Sequence, residues 1–389
     1  HHLRIQFLLA LRDRGFRVSA ASPADPAPFQ RVGIQHHALS FKRYVNPLSD
    51  RATIEAARTL LEQVRPDLVQ SFDTKPNILV PLAARGERDL LVVRTINGMG
   101  WVYSSKSPTA LGLRVVQRAL HRVASRSVAM TIFQNRQDQQ LFHEHGIVGQ
   151  GLSQLVPGSG IDVEKFAYDL RVGPSAAQLR QELGLGRSEI VITVTRLTRQ
   201  KGIPALLKAA AIVHKVRPSV RFLLVGPRES EGALAISQDE LARHAPYVAA
   251  IGARSDVPSL LRLADLFAFP TQYREGVPRV LLEAGLAGLP IVTTDMPGCN
   301  DVVRDGWSGY LVPAGSHQRL AARILDLLRE RQVARLMGQR LAECVRQEFN
   351  LMRTVDRYCA AYSRLLERLS VPRGRFVQGR VPVVSESRS

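Results

Sequence analysis

The sequence of 389 residues has few of the features that define several large classes of proteins. Its apolar runs stay well below the roughly 20 residues that a membrane-spanning helix needs, and no signal-peptide pattern opens it. It contains only three cysteines, Cys299, Cys344 and Cys359, and their spacing fits no metal-binding motif. We therefore expect reduced thiols in a cytoplasmic protein, without a disulfide framework.

Several catalytic motifs are also missing. No Gly-x-x-x-x-Gly-Lys-Ser/Thr loop is present, which argues against a P-loop nucleotidase. Nothing resembles the nucleophile elbow of the α/β hydrolases. Because the sequence has no Asp-x-Asp motif and no cluster of histidines and cysteines, we expect neither a metal ion nor another cofactor.

The charge is strongly one-sided, with a formal net value of +19. No acidic residue lies between Asp89 and Asp138. On a helix, basic residues at every fourth position form one stripe, which is either a solvated face or a membrane-binding surface. We expect an anionic membrane surface as a partner, with the protein peripheral at the inner face of the cytoplasmic membrane. No nucleic acid is expected, because no RNP-like, zinc-finger or helix-turn-helix pattern is present. The predicted membrane-facing residues are Arg114, Arg118, Arg122 and Arg126.

Short apolar strands alternate with helical patterns along most of the chain, which predicts parallel sheets covered by helices on both faces. A Gly- and Pro-rich stretch at Val156–Asp162 predicts a hinge between two such α/β domains. We expect a first domain over residues 1–160, a second over 161–349, a closing helix over 350–369 and a flexible basic tail over 370–389.

The opening of the first domain departs from the usual order. A doubly wound half begins with a strand, a Gly-rich turn and then a helix. This sequence begins at His1 and enters a helical pattern directly. We therefore expect the first domain to lack its first strand, and the chain as given to be truncated, with a first domain that is incomplete or inactive.

A basic loop in the second half is the first candidate for chemistry. A predicted strand ends at Arg196, and the next helix begins near Ile203 with Pro204 in its first turn. Lys201 then lies just ahead of a helix N-terminus, where free N–H groups and the helix dipole favour anions. Arg196 adds a second positive charge at the same sheet edge. The alternative is an ordinary solvated loop.

Two glutamates provide the second candidate. Pro278 marks the start of a helix, so Glu275 lies in the preceding loop and Glu283 lies within the helix. Carboxylates there can accept hydrogen bonds from sugar hydroxyls. Alternatively, Glu275 is only a favourable charge at a helix N-terminus and Glu283 a surface residue. Apolar neighbours argue that this helix is largely buried, and a buried glutamate without a partner is costly.

These elements together resemble glycosyltransferase family 4, the glycosyl transferases group 1, which have the GT-B fold. The signature of two glutamates separated by seven residues, followed by Gly-x-Pro, corresponds to Glu275, Glu283 and Gly288-Leu-Pro290. The Arg-Leu-x-x-x-Lys-Gly element corresponds to Arg196–Gly202. Further similar segments begin at Gly252, Asp265 and Asp305. Ordered matches of this kind are more specific than any single motif. The resemblance implies an α/β protein with two Rossmann-like domains that face a cleft.

The resemblance also implies roles for individual residues in a retaining, metal-independent transfer. Arg196 and Lys201 would neutralise the diphosphate of a nucleotide-sugar donor as it leaves. Glu275 would hold the transferred sugar and Glu283 the nucleotide ribose, with Gly252 near the base. Gly276 and Val277 would complete the donor site. Thr195 stands where the family usually has Gly, which would narrow the approach of the phosphates.

The first half resembles a branch of the family that builds capsule, exopolysaccharide, O-antigen or lipid-linked oligosaccharide. The similar segments are Ser71–Asn77, Asn97–Tyr103 and Phe133–Asn135. The resemblance implies a UDP-linked hexose or N-acetylhexosamine as donor and a polyprenyl-diphosphate-linked saccharide as acceptor. Lys75 at a strand end could meet an acceptor phosphate or be an ordinary loop lysine. Asn97 and Gly98 are the other residues predicted to bind the acceptor.

Two other functions stay open at this point. A nucleotide-sugar epimerase could share the architecture, although the basic helix of a membrane-binding type argues against it. A non-catalytic polyanion-binding protein would also explain the charge. For the transferase we predict that Arg196, Lys201, Glu275 and Glu283 converge on one interdomain cleft.

Overall fold

The computed structural model describes residues 2–42, 46–158 and 160–370 of the chain. These residues form two compact units. Among the described residues, the first unit contains those up to Gly158 and Leu351–Ser370, and the second is Gly160–Asn350. The predicted basic tail lies outside the described residues, apart from residue 370.

Parallel strands form two sheets in the first unit. The strands β1 (Ser19–Ser22) and β2 (Gln35–Ala38) pair with each other in a sheet of their own. The other sheet follows the order of the sequence. Its strands are β3 (Leu68–Phe72), β4 (Leu91–Ile96), β5 (Met130–Phe133) and β6 (Leu152–Leu155).

Polar caps followed by proline start the two longest helices among residues 2–158. Asn46 accepts a hydrogen bond from the Ser49 amide at 3.1 Å, and Ser107 accepts one from the Ala110 amide at 3.2 Å. A proline follows each cap, where its missing N–H costs nothing. The helices of this part are α1 (His2–Asp13), α2 (Ala27–Gln30), α3 (Pro47–Val64), α4 (Pro76–Ala83), α5 (Gly100–Ser104), α6 (Pro108–Ala124) and α7 (Arg136–Glu144).

The second unit is a parallel sheet in the order β12-β11-β10-β7-β8-β9. Its strands are β7 (Glu189–Val194), β8 (Val220–Val225), β9 (Val248–Ala250), β10 (Leu266–Phe269), β11 (Ile291–Thr294) and β12 (Tyr310–Val312). Its helices are α8 (Val163–Val172), α9 (Ala176–Glu182), α10 (Ile203–Val216), α11 (Gln238–Ala242), α12 (Val257–Leu263), α13 (Arg279–Leu286), α14 (Cys299–Val302), α15 (His317–Arg329) and α16 (Arg331–Glu348).

Side chains of the second sheet alternate between two buried layers. Ile190 and Ile192 pack on one face with Phe267, whereas Val191 packs on the other face with Phe222. Both faces are apolar because helices cover both, which is why these strands are continuous apolar runs rather than alternating ones.

The last helix, α17 (Leu351–Ser370), belongs to the first unit. Tyr358 and Tyr362 on this helix are buried there, and the Tyr358 ring meets the ring of Phe7 edge-on at 5.0 Å. Arg14 of the first unit pairs with Asp356 at 2.6 Å. The chain therefore leaves the first unit, forms the second, and returns to complete the core of the first.

A gap separates the two sheets of the first unit. Among the described residues, no strand pairs with both β1 and β3. A cavity of about 430 Å³ lies here, lined by residues of both strands, including Ala21 and Val69, and by Phe7 and Tyr362. In a doubly wound half of the usual strand order, the first strand occupies this position.

Candidate active site

The order of strands in the second unit marks one edge of its sheet as the place for a ligand. From β7 the chain builds outward through β8 to β9, then crosses to β10 on the other side of β7. The loops after β7 and β10 therefore flank a topological switch point, where open parallel sheets bind ligands. Arg196 and Lys201 follow β7, and Glu275 follows β10.

Lys201 and Glu275 meet at this switch point. The Thr198 hydroxyl caps the short 3₁₀ helix Arg199–Lys201 and so fixes the backbone that presents the lysine. The buried Lys201 side chain forms an ion pair with Glu275, and its ammonium lies 5.1 Å from the centre of the Tyr273 ring. The Thr271 hydroxyl lies 3.4 Å from the same Glu275 oxygen. The structure thus brings together two of the residues predicted from separate motifs.

Glycines allow three loops to pack against each other at this edge. Gly202 has a φ of 75°, and a Cβ atom there would overlap the carbonyl oxygen of Pro270. Gly298 has a φ of 83°, and a Cβ atom there would overlap the carbonyl oxygen of Gly276. The loops after β7, β10 and β11 are therefore in direct backbone contact, which holds Lys201 and Glu275 in place.

Arg196 has a partner that lies outside the sequence motifs. Its guanidinium lies 2.7 Å from a carboxylate oxygen of Glu231 in the 3₁₀ helix Glu229–Leu234. Glu231 follows β8, so it approaches the same sheet edge from the next loop. No repeated pattern surrounds Glu231, and only the three-dimensional arrangement identifies it.

Glu283 lies further along the same region, on α13. Its carboxylate accepts a hydrogen bond from Arg279 at 3.0 Å, one helical turn earlier. Burial raises the pKa of Glu283, and the charge of Arg279 opposes that increase. The residue is half-buried, so it is not the plain surface glutamate of the alternative interpretation.

The remaining predicted donor residues form the border of the site. Gly252 follows β9, its carbonyl accepts a hydrogen bond from the Gly226 amide at 2.8 Å, and the space beside its Cα is open. Val277 is half-buried beside the buried Gly276. At Thr195 the backbone is in close contact with Gly226, where a Cβ atom would overlap the Thr195 carbonyl oxygen. The loops near the switch point are therefore in close backbone contact at Thr195 and Gly226, and they leave open space beside Gly252.

Cys299 is buried beneath this edge. Burial raises the pKa of its thiol to about 12, with smaller contributions from Thr293, Glu275, Lys201 and Thr294. A thiol with such a pKa is neutral at physiological pH and a poor nucleophile.

The predicted acceptor residues of the first unit lie at the carboxyl edge of its sheet. Lys75 follows β3 and forms an ion pair with Asp50 at 2.6 Å. Asn97 follows β4 and exchanges two hydrogen bonds with Asp73, whose φ of 71° is unusual for a residue other than glycine. Gly98, next in the chain, has a φ of 103°. Neither Asp50 nor Asp73 was predicted as a functional partner.

The four arginines predicted as one membrane-facing stripe are arranged differently. Arg114 is half-buried and donates to the carbonyl oxygens of Val102 at 2.7 Å and Ser105 at 2.6 Å. Arg118 is also half-buried, whereas Arg122 and Arg126 are exposed. Of the four predicted membrane-facing arginines, the first two are therefore half-buried and the last two are exposed.

Within residues 2–42, 46–158 and 160–370, no group of three or more His, Cys, Asp or Glu side chains could hold a metal ion. None of the helices there is long and apolar enough to cross a membrane.

Two α/β units built on parallel Rossmann-like sheets are the architecture of the GT-B fold. Residues 5–165 match the profile of Glycosyltransferase Family 4, and residues 175–343 match that of Glycosyl transferases group 1. The chain therefore belongs to this family and is a glycosyltransferase. HepE of Anabaena, solved in complex with UDP and glucose, shares the fold with a TM-score of 0.73 at 20% identity. The match covers 93% of this chain and 95% of HepE.

Two curated relatives resemble the chain over most of its length. One is the N,N'-diacetylbacillosaminyl-diphospho-undecaprenol alpha-1,3-N-acetylgalactosaminyltransferase of Campylobacter jejuni, 24% identical over 94% of this chain and 96% of its own. The other is the UDP-Gal:alpha-D-GlcNAc-diphosphoundecaprenol alpha-1,3-galactosyltransferase of Escherichia coli, also 24% identical, over 81% of this chain and 80% of its own.

Proposed function

We propose that this enzyme transfers a hexose or N-acetylhexosamine from a UDP-linked donor to a polyprenyl-diphosphate-linked saccharide, with retention at the anomeric carbon. The reaction would serve the synthesis of a bacterial surface polysaccharide at the inner face of the cytoplasmic membrane. The observation that carries the proposal is the Lys201–Glu275 pair at the switch point of the second sheet. A cation and a carboxylate there suit a ligand with both phosphates and hydroxyls.

The donor would bind with its diphosphate against Lys201 and Arg196. Lys201 is well suited to this because it immediately precedes Gly202, the N-cap of α10, so the helix dipole adds to its charge. Glu275 would accept hydrogen bonds from the hydroxyls of the transferred sugar, and Glu283 from those of the ribose. Gly252, Gly276 and Val277 would contact the donor through the backbone or the adjoining space.

In the transfer step, the bond between the anomeric carbon and the donor phosphate oxygen breaks. The acceptor hydroxyl forms its bond on the same face, and its proton passes to the leaving phosphate. Negative charge develops on the diphosphate as the bond breaks, so fixed cations contribute most in the transition state. Lys201 and Arg196 are therefore the proposed catalytic cations, with Glu275 holding the reacting sugar.

The acceptor would bind at the carboxyl edge of the first unit. Asn97 and Gly98 offer an amide and an accessible backbone, and Lys75 offers a cation for the acceptor phosphate. The names of the two curated relatives support this class of acceptor, because both contain a saccharide linked to undecaprenol through a diphosphate. The name of the second relative also supports UDP as the carrier of the donor sugar.

A transfer assay tests the proposal. The protein is incubated with UDP-, GDP- and dTDP-linked sugars and a polyprenyl-diphosphate-linked sugar, and the product's anomeric configuration is determined by NMR. We expect transfer from a UDP-sugar with retention, and almost no effect of EDTA. Inversion, or strong EDTA inhibition reversed by manganese, would contradict the mechanism. Conversion of the donor sugar without an acceptor would indicate an epimerase instead.

A further inference from the structure

The ion pair of Arg196 and Glu231 has one buried and one partly exposed member. The side chain of Glu231 is only 8% exposed, whereas that of Arg196 is 39% exposed. Their contact of 2.7 Å joins Nη1 of the arginine to one carboxylate oxygen. A buried carboxylate needs such a partner, because loss of the cation would leave an uncompensated charge in the interior. We therefore expect Arg196 to stay bound to Glu231 when a ligand arrives.

Backbone hydrogen bonds hold the segment that carries Glu231 against the loop after β7. The Leu197 amide donates to the carbonyl oxygen of Pro227 at 2.9 Å, and the Ile236 amide donates to the carbonyl oxygen of Leu197 at 3.0 Å. The side chains of Leu197 and Ile236 are buried in the same apolar cluster of the second unit. Between these two contacts the chain turns at Gly232, whose φ of 55° favours glycine. The Glu231 carboxylate is therefore presented by a segment that is anchored on both sides.

Arg196 keeps hydrogen-bonding capacity beyond this pair. A guanidinium presents several N–H donors in one rigid plane. Among the residues that the structure describes, only Glu231 accepts a hydrogen bond from the Arg196 side chain. The other donors are therefore available to phosphate oxygens, which match a planar guanidinium well. Because the group is rigid, a carboxylate that fixes one of its nitrogens also fixes the direction of the rest.

We propose that Glu231 is a positioning residue, which holds the guanidinium of Arg196 so that its remaining N–H groups meet the donor diphosphate. The proposal rests on the proposed function, because the role of Arg196 toward a diphosphate comes from there. Glu231 itself touches neither the phosphates nor the sugar. Its charge offsets part of the charge of Arg196, so its benefit comes from geometry. A donor fixed in advance stabilises the developing charge without reorganisation during the reaction.

Competition with the phosphates for Arg196 is the alternative role of Glu231. In that case the arginine would leave the carboxylate whenever a donor binds. The burial of Glu231 argues against it, because the carboxylate would then stay in the interior without its cation. The two roles predict opposite effects on turnover. Loss of a positioning residue slows the reaction, whereas loss of a competitor speeds it.

A double-mutant cycle on kcat tests the proposal with the full chain and saturating donor. Glu231→Gln keeps the shape of the side chain and removes its charge. It should lower kcat by about tenfold, since a displacement of about 1 Å at a reacting centre can cost up to ~100-fold. In an Arg196→Ala background the same substitution should lower kcat no further, because the residue that Glu231 positions is gone. Equal losses in both backgrounds, or a higher kcat for Glu231→Gln alone, would overturn the proposal.

Binding of UDP, measured by isothermal titration calorimetry, gives a readout that needs no transfer. Arg196→Ala should weaken UDP binding by about tenfold or more, the scale of losing a hydrogen bond from a charged donor. Adding Glu231→Gln should recover about fivefold, the size of a repulsion between close like charges in water, because it removes the unpaired carboxylate. Adding Glu231→Asp instead should recover none, because it keeps that charge. No recovery with Glu231→Gln would contradict the proposal.

Glu240→Gln is the matched control. Glu240 pairs with Arg199 of the same loop at 2.8 Å, but the Arg199 side chain is 55% exposed. This variant should keep parental kcat and UDP binding. Thermal unfolding checks the fold, and if Glu231→Gln does not fold, Glu231→Asp takes its place in the kcat cycle, because it moves the carboxylate but keeps its charge. If the parent binds UDP but transfers no sugar, the proposed function fails, and the UDP measurements still decide the role of Glu231.

Discussion

Lys201 and Arg196 each pair with a carboxylate in the structure, and those two pairs differ in what they can contribute. Lys201 is buried, so its charge acts in surroundings that screen it little. Arg196 is half-buried and binds Glu231 from a neighbouring loop. A buried cation is the more effective stabiliser of a developing charge, because fewer water molecules compete with it.

We therefore predict that Lys201→Ala lowers kcat by about 100-fold or more, the scale of losing one preorganised donor at a developing charge. Transfer kinetics with saturating donor measure the effect. Lys165→Ala is the control, because Lys165 also pairs with a carboxylate of the second unit, Asp169 at 2.9 Å, but lies on α8. A Lys201→Ala enzyme with parental kcat would remove this lysine from the mechanism.

Glu283 illustrates a conflict between stability and function at the residue scale. Burial raises its pKa, so the folded protein holds this proton more tightly than the unfolded chain. The stabilising contribution of this proton is therefore fully present below about pH 4.3, the ordinary pKa of Glu. It is lost as the pH rises through the higher pKa that Glu283 has in the folded protein.

Glu283→Gln should accordingly stabilise the protein at neutral pH by about 1 kcal/mol while it weakens donor binding, because the amide is a poorer acceptor for ribose hydroxyls. Urea unfolding at about pH 7 and about pH 4 measures the first effect, which should shrink at the lower pH. The exposed Glu343 provides the control as Glu343→Gln, with no change expected. A destabilised Glu283→Gln at neutral pH would show that the ion pair with Arg279 outweighs burial.

At the scale of elements, the site depends on loops that touch through their backbones. A left-handed backbone conformation costs a residue other than glycine roughly 1–2 kcal/mol. We predict that Gly202→Ala lowers the free energy of unfolding by more than this. Its Cβ would also overlap Pro270 and move Lys201 away from Glu275. Thermal unfolding and transfer rates measure both effects.

Gly288→Ala is a closely matched control for that prediction. Gly288 has the same φ of 75°, but no atom lies within 4 Å of its Cβ position. It should show the conformational cost alone and keep its activity. Equal losses for the two variants would mean that the contact between the loops after β7 and β10 does not support the site.

The sequence predicted some elements of the site better than others, for physical reasons. Parallel strands put their carboxyl ends at one edge, so the loops with Lys201 and Glu275 could be placed together before the structure was known. The partner Glu231 could not, because its 3₁₀ helix has no periodic pattern. Asp50 lies far from Lys75 in sequence and contacts it only through the packing of α3 near β3.

Helix α6 shows where a one-dimensional pattern fails. Residues four apart are rotated by about 40° around an α-helix, so Arg114, Arg118 and Arg122 turn through about 80°, and Arg126 lies beyond the end of α6. The stripe therefore begins on the inner side, at carbonyl oxygens, and ends in solvent.

At the scale of the whole molecule, the chain crosses between its two units twice. The second unit is formed by one continuous segment, whereas the first depends on α17 returning to its core. Tyr358 and Tyr362 are buried among the aromatic side chains of that core, where Phe16 meets Tyr362 at 5.8 Å. The stability of the first unit is therefore linked to residues at the far end of the sequence.

We predict that Tyr362→Ala destabilises the first unit by about 3–5 kcal/mol, the usual range for removing a large buried aromatic side chain. Calorimetry should show the first unit unfolding at a lower temperature, with the unfolding temperature of the second unit unchanged. UDP in excess should raise only the unfolding temperature of the second unit, because a ligand stabilises the unit that binds it. Phe267→Ala, in the core of the second unit, should lower the unfolding temperature of the second unit and leave that of the first unchanged. A single transition that both substitutions and UDP shift equally would show that the two units unfold together.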